Sequence, residues 1–599
     1  MVQQIVGIDF GTTNSLISVV THDGKVKSYA ERNRPHPSVI RYETDKVICG
    51  QKAKDQLEHL GVGVLDNTVR GPKKLLNKDA INVGGRLLHP TAVVSDFMKY
   101  LKDHALSEQQ ENEADLTKAV VTIPVDLDGK GRIVLREAML NAGIYVERFV
   151  HEPLAALYGY FKDLENTEDE LRRNEGRMIL VFDWGGGTLD LTLCQILNGA
   201  IVQIQNKGNN TVGGDYLDEA ILSFVEKTHA KQHGWTVDSA LQRYPGMRGK
   251  LLADCEKAKI NLSNKEKANI FVPEYFQGSG EEAEIDVWLT REDLEQICSK
   301  LISKGIREIE HLLSPQQTNI DSQTISLCLA TGGMINMPSI KQQLAEIFGP
   351  TVLHISSKGD RIISEGAARI AADELELSLA KPFELLEARN SVVTLWPEGT
   401  TLPGRGYSIA TKQSMYSTDP RDGKALIAFK RPLMVGKSGT SDARVTYGNM
   451  SVPINAAFPP FGERILVEAI IDDNLIVHVS AVGCDEGEMV KMEFYELEFA
   501  LRILKKNIKE NTFRLTEKHK FTPGVAALSN ISRSKNAWDL VPGELLQEYN
   551  ESHPLNPKQL TEQQRLEHLR YQPCARCGAK WVKNCCNVSL LQNDARHSH

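Results

Sequence analysis

Two aspartates, each standing just ahead of a glycine-containing turn, are the groups in this sequence best placed to do chemistry. Asp9 precedes Gly11, Thr12, Thr13 and Asn14, while Asp183 precedes Gly185, Gly186, Gly187 and Thr188, with Asp190 just beyond. Turns without side-chain bulk let backbone N–H groups approach a phosphate, and the threonines and Asn14 add hydrogen-bonding groups of their own. An aspartate at the end of the strand leading into such a turn can hold hydrated Mg²⁺ through its water shell.

The elements that must position these groups repeat. Ile5 to Val20 and Ile179 to Cys194, laid in register, share an apolar strand, an aspartate, an aromatic (Phe10, Trp184), a glycine turn and a second β-rich strand. Each reads as a hairpin. One copy alone could be no more than a tight turn that needs glycine; two registered copies, both with aspartate before the glycine, argue for paired phosphate loops. Other nucleotide motifs fail. Gly436-Lys437-Ser438 resembles the end of a P-loop, but Arg431 stands where the earlier glycine is required. No G-x-G-x-x-G sits between a strand and a helix.

A chain of 599 residues is too long for one hydrophobic core, so two large folding units are expected. Its composition, 41% hydrophobic and 25% charged, is that of a soluble globular protein. No apolar run approaches the ~18 residues of a membrane span, and the N-terminus lacks the basic and apolar stretches of a secretory signal. The formal charge of −8 comes without a basic block, so neither nucleic acid nor membrane is an expected partner. Cys49, Cys194, Cys255, Cys298, Cys328 and Cys484 are scattered singly, as small buried hydrophobes of a reducing compartment. The expected location is the cytoplasm.

Further segments resemble the seventy-kilodalton heat-shock chaperones of the DnaK type, rather than actin or the sugar kinases that share paired phosphate hairpins. Val120 to Tyr160, with V-V-T-I-P-V-D-L-D-G-K-G-R and later H-E-P-L-A-A-L-Y-G-Y, is similar to the family's stretch between lobes. Asp254 to Ser263 resembles its adenosine-binding helix and Leu329 to Pro338 its adenosine loop. The resemblance implies an α/β actin-like ATPase domain over residues 1–375, two lobes with a duplicated RNase H-like core, binding ATP or ADP with Mg²⁺ and K⁺.

It also implies roles, residue by residue. Asp9 and Asp183 would organise Mg²⁺ through water, and Thr13 and Thr188 would contact phosphates. Lys73 would reach the γ-phosphate and the attacking water, stabilising charge on the transferring group. Glu152 and Asp183 would position that water, and Asp190 would hold the monovalent cation. Gly213 and Gly214 would close over phosphate. Glu256, Lys259, Ser263, Gly332, Gly333 and Asp360 would line the adenosine cleft, while Pro124 and Arg132 match the pair that relays nucleotide state. Taken alone, Glu152 before Pro153 could only begin a helix, Lys73 could be a solvated lysine, and Pro124 could merely end a strand. Three positions depart from the pattern. Asn336 stands where an arginine usually stacks on adenine, Ile260 cannot supply a second stacking cation, and Val125-Asp126 replace an aromatic after Pro124.

Residues 391–500 change to short alternating strands broken by glycine and proline, including a hairpin of Ile465 to Ile471, the turn Asp472-Asp473-Asn474, and Leu475 to Val482. They resemble the family's peptide-binding β-sandwich. Residues 376–390 are expected to be a linker, with Phe383-Glu384-Leu385-Leu386-Glu387 as its docking stretch. In 501–573, helices are expected over Phe499 to Asn511 and Leu560 to Tyr571, among proline-rich loops. The tail, 574–599, carries Cys574, Cys577, Cys585 and Cys586, a set suited to tetrahedral Zn²⁺.

The function that follows from the resemblance is an ATP-driven chaperone binding a polypeptide client, served by a J-domain co-chaperone and a nucleotide-exchange factor. The alternative is an actin-like ATPase scaffold or switch with one dedicated protein partner.

Overall fold

A computed structural model describes residues 4–503, except 60–66, 111–112, 236–241, 245, 279, 389–391, 437–442, 459–460 and 484–486, together with Val588–Ser589. The chain divides into two compact units. The first comprises Met1–Glu376 and Leu501–Ile503, and the second begins at Leu377.

The internal repeat becomes a repeated sheet. In one lobe of the first unit the strand order is Tyr145–His151, Ala114–Ile123, Gln4–Phe10, Asn14–Val20, Val26–Tyr29. In the other it is Leu353–Ile355, Ile325–Thr331, Met178–Trp184, Leu189–Leu197, Ala200–Asn209. Each sheet has the same pattern: two parallel strands beside the hairpin, then a third antiparallel strand. The hairpins pair Asp9 with Leu16 and Asp183 with Asp190, so both turns leave their sheets at the same topological position. The parallel neighbours of each hairpin are buried along their inner stretches, Ala119 to Ile123 in one sheet and Cys328 to Thr331 in the other. The helix Ile362–Ala372 lies against the first sheet so closely that a Cβ on Gly7 would fall 2.1 Å from the Ala368 nitrogen.

In the second unit, Val392–Trp396, Phe383–Leu386, Lys424–Pro432 and Arg444–Pro453 form one antiparallel sheet. Val490–Phe494, Val477–Gly483, Arg464–Ile471 and Ile409–Ser417 form the other, with Val588–Ser589 at its edge. Phe494 from the second sheet packs against Phe383 and Phe429 of the first, ring centroids 5.5 and 5.2 Å apart, which makes the pair a sandwich. The expected hairpin is present, Arg464–Ile471 pairing with Val477–Gly483.

Two expectations are corrected here. Phe383–Leu386 is not a linker but an interior strand of the sandwich, bonded to Val392–Trp396 on one side and Lys424–Pro432 on the other. Leu385 is fully buried, and Glu384 on the opposite face is buried against Arg444, with Nε to Oε2 at 2.7 Å. The start of the expected helix at Phe499 is instead the strand Phe499–Arg502. Ile503 N–H donates to Gly199 O within the first unit, so backbone pairing overrides the local helical pattern. The rest of that helix, Leu560 to Tyr571, Cys484 and the four tail cysteines lie outside the described residues.

Candidate functional site

Both glycine turns and a third one close on each other. A Cβ on Gly186 would lie 1.8 Å from Thr13 Oγ1, one on Gly187 would lie 2.8 Å from Thr12 Oγ1, and one on Gly213 would lie 2.4 Å from the Gly187 carbonyl carbon. The space is open only to backbone, which is what phosphate binding by N–H groups needs. Gly213 caps the helix Gly214–Gln232, whose first N–H groups at Gly214 and Asp215 donate to Gly185 O and Gly186 O. Thr13 Oγ1 is buried with no hydrogen-bond partner among the described residues, a donor left for a ligand oxygen.

Behind the turns, Lys73 and Glu152 form a buried ion pair, Nζ to Oε1 at 2.5 Å. Each sits at the start of a short helix held by proline. Pro72 opens the turn Pro72–Leu75 after left-handed Gly71, and Pro153 is the second residue of the helix Glu152–Asp163. Burial, reinforced by Glu152, pushes Asp9 up to about 7, with Lys73 and the Thr122 hydroxyl pulling it down. The same cause, with Glu152 and Asp9, pushes Asp183 up to about 8. Asp190 is also raised, by burial and then by Asp126, Glu152 and Asp183, and its Oδ1 is buried with no partner among the described residues. Burial alone would lower Lys73, but Glu152 and Asp9 outweigh it and keep the ammonium charged.

Half-buried Asp9 and buried Glu152, Asp183 and Asp190 around one lysine are a donor set short of positive charge, and Mg²⁺ fits that deficit. Among the described residues no group of three His, Cys, Asp or Glu side chains forms a direct metal cage.

A pH dependence follows. Because the folded chain holds protons on Asp9 and Asp183 more tightly than the unfolded chain does, its stability falls as pH rises from about 4 through about 7 to 8. In EDTA the melting temperature is expected to drop by about 5 °C or more between pH 5.5 and 8.5. Mg²⁺ with ADP should flatten the slope, since cations favour the ionised carboxylates. A flat profile in EDTA would contradict the assignment of a charge-starved site.

The adenosine positions assemble beside this cluster. A Cβ on Gly332 would meet Asp183 Oδ1 at 2.6 Å, and one on Gly214 would meet Met334 Sδ at 2.8 Å and Lys259 Nζ at 3.1 Å. The Gly332 turn therefore joins Asp183 to the helix Met247–Leu262, which carries Glu256 and Lys259 and is capped by Ser263. Glu256 binds Lys54 at 2.8 Å and Arg70 at 3.0 Å. Asp360 is half exposed near Arg361, 3.8 Å from its Nε.

Pro124 and Arg132 are connected through Leu127, whose N–H donates to Pro124 O while its carbonyl accepts from Arg132 Nε at 2.8 Å. Arg132 is fully buried and its charge, after burial itself, holds His151 down to about 3. His151 precedes Glu152 and meets Gln203 Oε1 through Nδ1 at 3.1 Å. His151, Gln203, Lys54 and Arg70 were not singled out from the sequence. Position next to Glu152 was a signal for His151; the others become neighbours only through long-range folding.

A family model described as Hsp70 protein matches residues 5–80 and 69–510. The chain belongs to the Hsp70 family. Among its Hsp70 relatives are the chaperone protein DnaK of Thermosipho melanesiensis, 28% identical over 81% of this chain and 79% of the relative, and that of Thermotoga petrophila, 28% identical over 82% and 80%. The DnaK of Mycoplasmopsis synoviae is 27% identical over 80% and 76%. As an Hsp70 the chain is an ATPase and an ATP-dependent chaperone, with an actin-like nucleotide domain and a β-sandwich; the dedicated-scaffold alternative is not favoured. No helix of the described residues is long and apolar enough to cross a membrane.

Proposed function

We propose that the buried Lys73–Glu152 pair is the hydrolytic centre that drives polypeptide binding and release. When bound, Mg²⁺ supplies charge neutralisation for the phosphates, and Asp9 and Asp183 would hold it through water. Lys73 Nζ faces the charge that develops on the transferring phosphoryl oxygens, and Glu152 accepts a hydrogen bond from the attacking water. Water oxygen bonds to the γ-phosphorus as the bond to the bridging oxygen breaks, leaving ADP. Thr13 and Thr188 bind phosphate oxygens, Gly213 and Gly214 let the second-lobe turn close, and Asp190, whose Oδ1 has no partner among the described residues, would hold K⁺.

The Pro124–Leu127–Arg132–His151 chain leads from the first-lobe sheet to Glu152 and is the path by which nucleotide state is relayed. The sandwich takes the extended client, and a J-domain protein and a nucleotide-exchange factor pace the cycle in the cytoplasm. At the tail, Cys574, Cys577, Cys585 and Cys586 would hold zinc; about one equivalent of Zn²⁺ after purification without chelator is the expected content, and none would remove the site. The observation that carries the reading is the 2.5 Å Lys73–Glu152 contact, buried beside the two aspartate-bearing hairpins. Its test is whether ATP speeds release of a bound peptide.

A further inference from the structure

Strand Ile409–Ser417 is bonded along one side to Arg464–Ile471, and its other side is the edge of that sheet. An open edge presents a row of backbone N–H and C=O groups that pair readily with an extended chain. Among the described residues the segment that pairs there is Val588–Ser589, antiparallel, with Ser589 opposite Tyr416 and Val588 opposite Ser417. The register follows from the backbone. Ser417 N–H donates to Glu463 O at 3.2 Å and Ser417 O accepts from Phe461 N–H at 2.7 Å, so the peptide groups of Ser417 face inward. Alternation then turns those of Tyr416 outward, to the tail.

The two ends of this edge differ. Ala410 and Lys412 are exposed, and Lys412 pairs with Glu468 at 3.0 Å, a charged guard of the kind that keeps other chains from an edge. Met415, Tyr416 and Ser417 are buried. Ser417 and Thr418 are 0% and 1% exposed, yet Ser417 Oγ and Thr418 Oγ1 have no hydrogen-bond partner among the described residues. Two buried hydroxyls left over beside a strand contact carry a cost that the backbone of a bound chain removes. The stretch that supplies the tail strand is uncharged from Asn584 to Asn593 and carries Val588, Leu590 and Leu591. Its composition is that of an extended apolar peptide.

We propose that Val588–Ser589 is a built-in competitor for extended polypeptides at the Tyr416–Ser417 edge, so that a client binds there only as the tail strand leaves. This inference rests on the client-binding reading above and adds its regulation. Tethering makes the tail contact intramolecular, at an effective concentration that reaches about the millimolar range and declines with tether length. A pairing of two residues competes on those terms and is short enough to be displaced. A tail that fills the edge about nine-tenths of the time lowers client affinity about tenfold.

The test is binding of a labelled extended peptide to the full chain with Mg²⁺ and ADP. A Val588→Pro, Ser589→Pro double variant removes the N–H donors of the tail strand, and a chain ending at Asn587 removes the strand itself; both keep Cys574, Cys577, Cys585 and Cys586. Each is expected to bind the peptide about tenfold tighter than wild type. A synthetic peptide of residues 584–594 should displace the label competitively from both. A gain below about threefold in either variant, or a tail peptide that does not compete, overturns the proposal. Variants that self-associate without gaining peptide affinity overturn it too, since the tail would then only cover the edge. If no extended peptide binds wild type or variants while the labelled tail peptide binds the variants, the client reading fails and the strand contact stands.

Discussion

Lys73→Ala is expected to lower single-turnover ATP hydrolysis at least ~100-fold, the loss typical of a group that stabilises transition-state charge. Lys73 is the cation that meets Glu152, and Asp9 and Asp190 add to its charge stabilisation. The phosphate turns that bind the ground state are made by other residues, so ADP affinity should stay within about threefold of wild type by the logic of separating binding from rate. The variant also leaves Glu152 buried without its partner, which costs about 3–5 kcal/mol in a fully desolvated pair. A melting curve with saturating Mg²⁺ and ADP therefore accompanies the rate. A folded, ADP-binding variant that hydrolyses ATP at the wild-type rate would remove Lys73 from the centre.

Leu385→Asp should unfold the sandwich rather than silence a signal. Leu385 is fully buried on a strand bonded on both sides, so the substitution places a carboxylate in the core of the sandwich. Such changes cost more than about 4 kcal/mol, a large part of a domain's stability. Limited proteolysis should cut the sandwich strands between Phe383 and Phe494 in the variant and spare them in wild type. A stable Leu385→Asp sandwich with selectively lost response to client would restore the linker reading.

That reversal shows which features were legible in the sequence. The hairpins were, because glycine turns between alternating apolar strands are local signals, and Asp9 and Asp183 stand in register within them. The helix at Glu152 was also legible, since proline at its second position suits a helix start. Phe383-Glu384-Leu385-Leu386-Glu387 was not, because by itself it reads as the linker's docking stretch. Glu384 is instead neutralised by Arg444, a partner far along the chain. Glu256 hides its partners in the same way: nothing near it in sequence points to Lys54 or Arg70. Phe499–Arg502 became a strand because its pairing comes from distant backbone, which no local periodicity records.

The most direct measurement of the central claim is release of a labelled extended peptide from the full chain, with and without ATP, in wild type and Lys73→Ala. An Hsp70 whose Lys73–Glu152 centre drives the client cycle should release peptide faster with ATP than without. Peptide should also stimulate wild-type phosphate release, and the variant should bind peptide without that stimulated turnover. Peptide release indifferent to ATP in the wild type, with hydrolysis intact, would contradict the coupling of this site to a client.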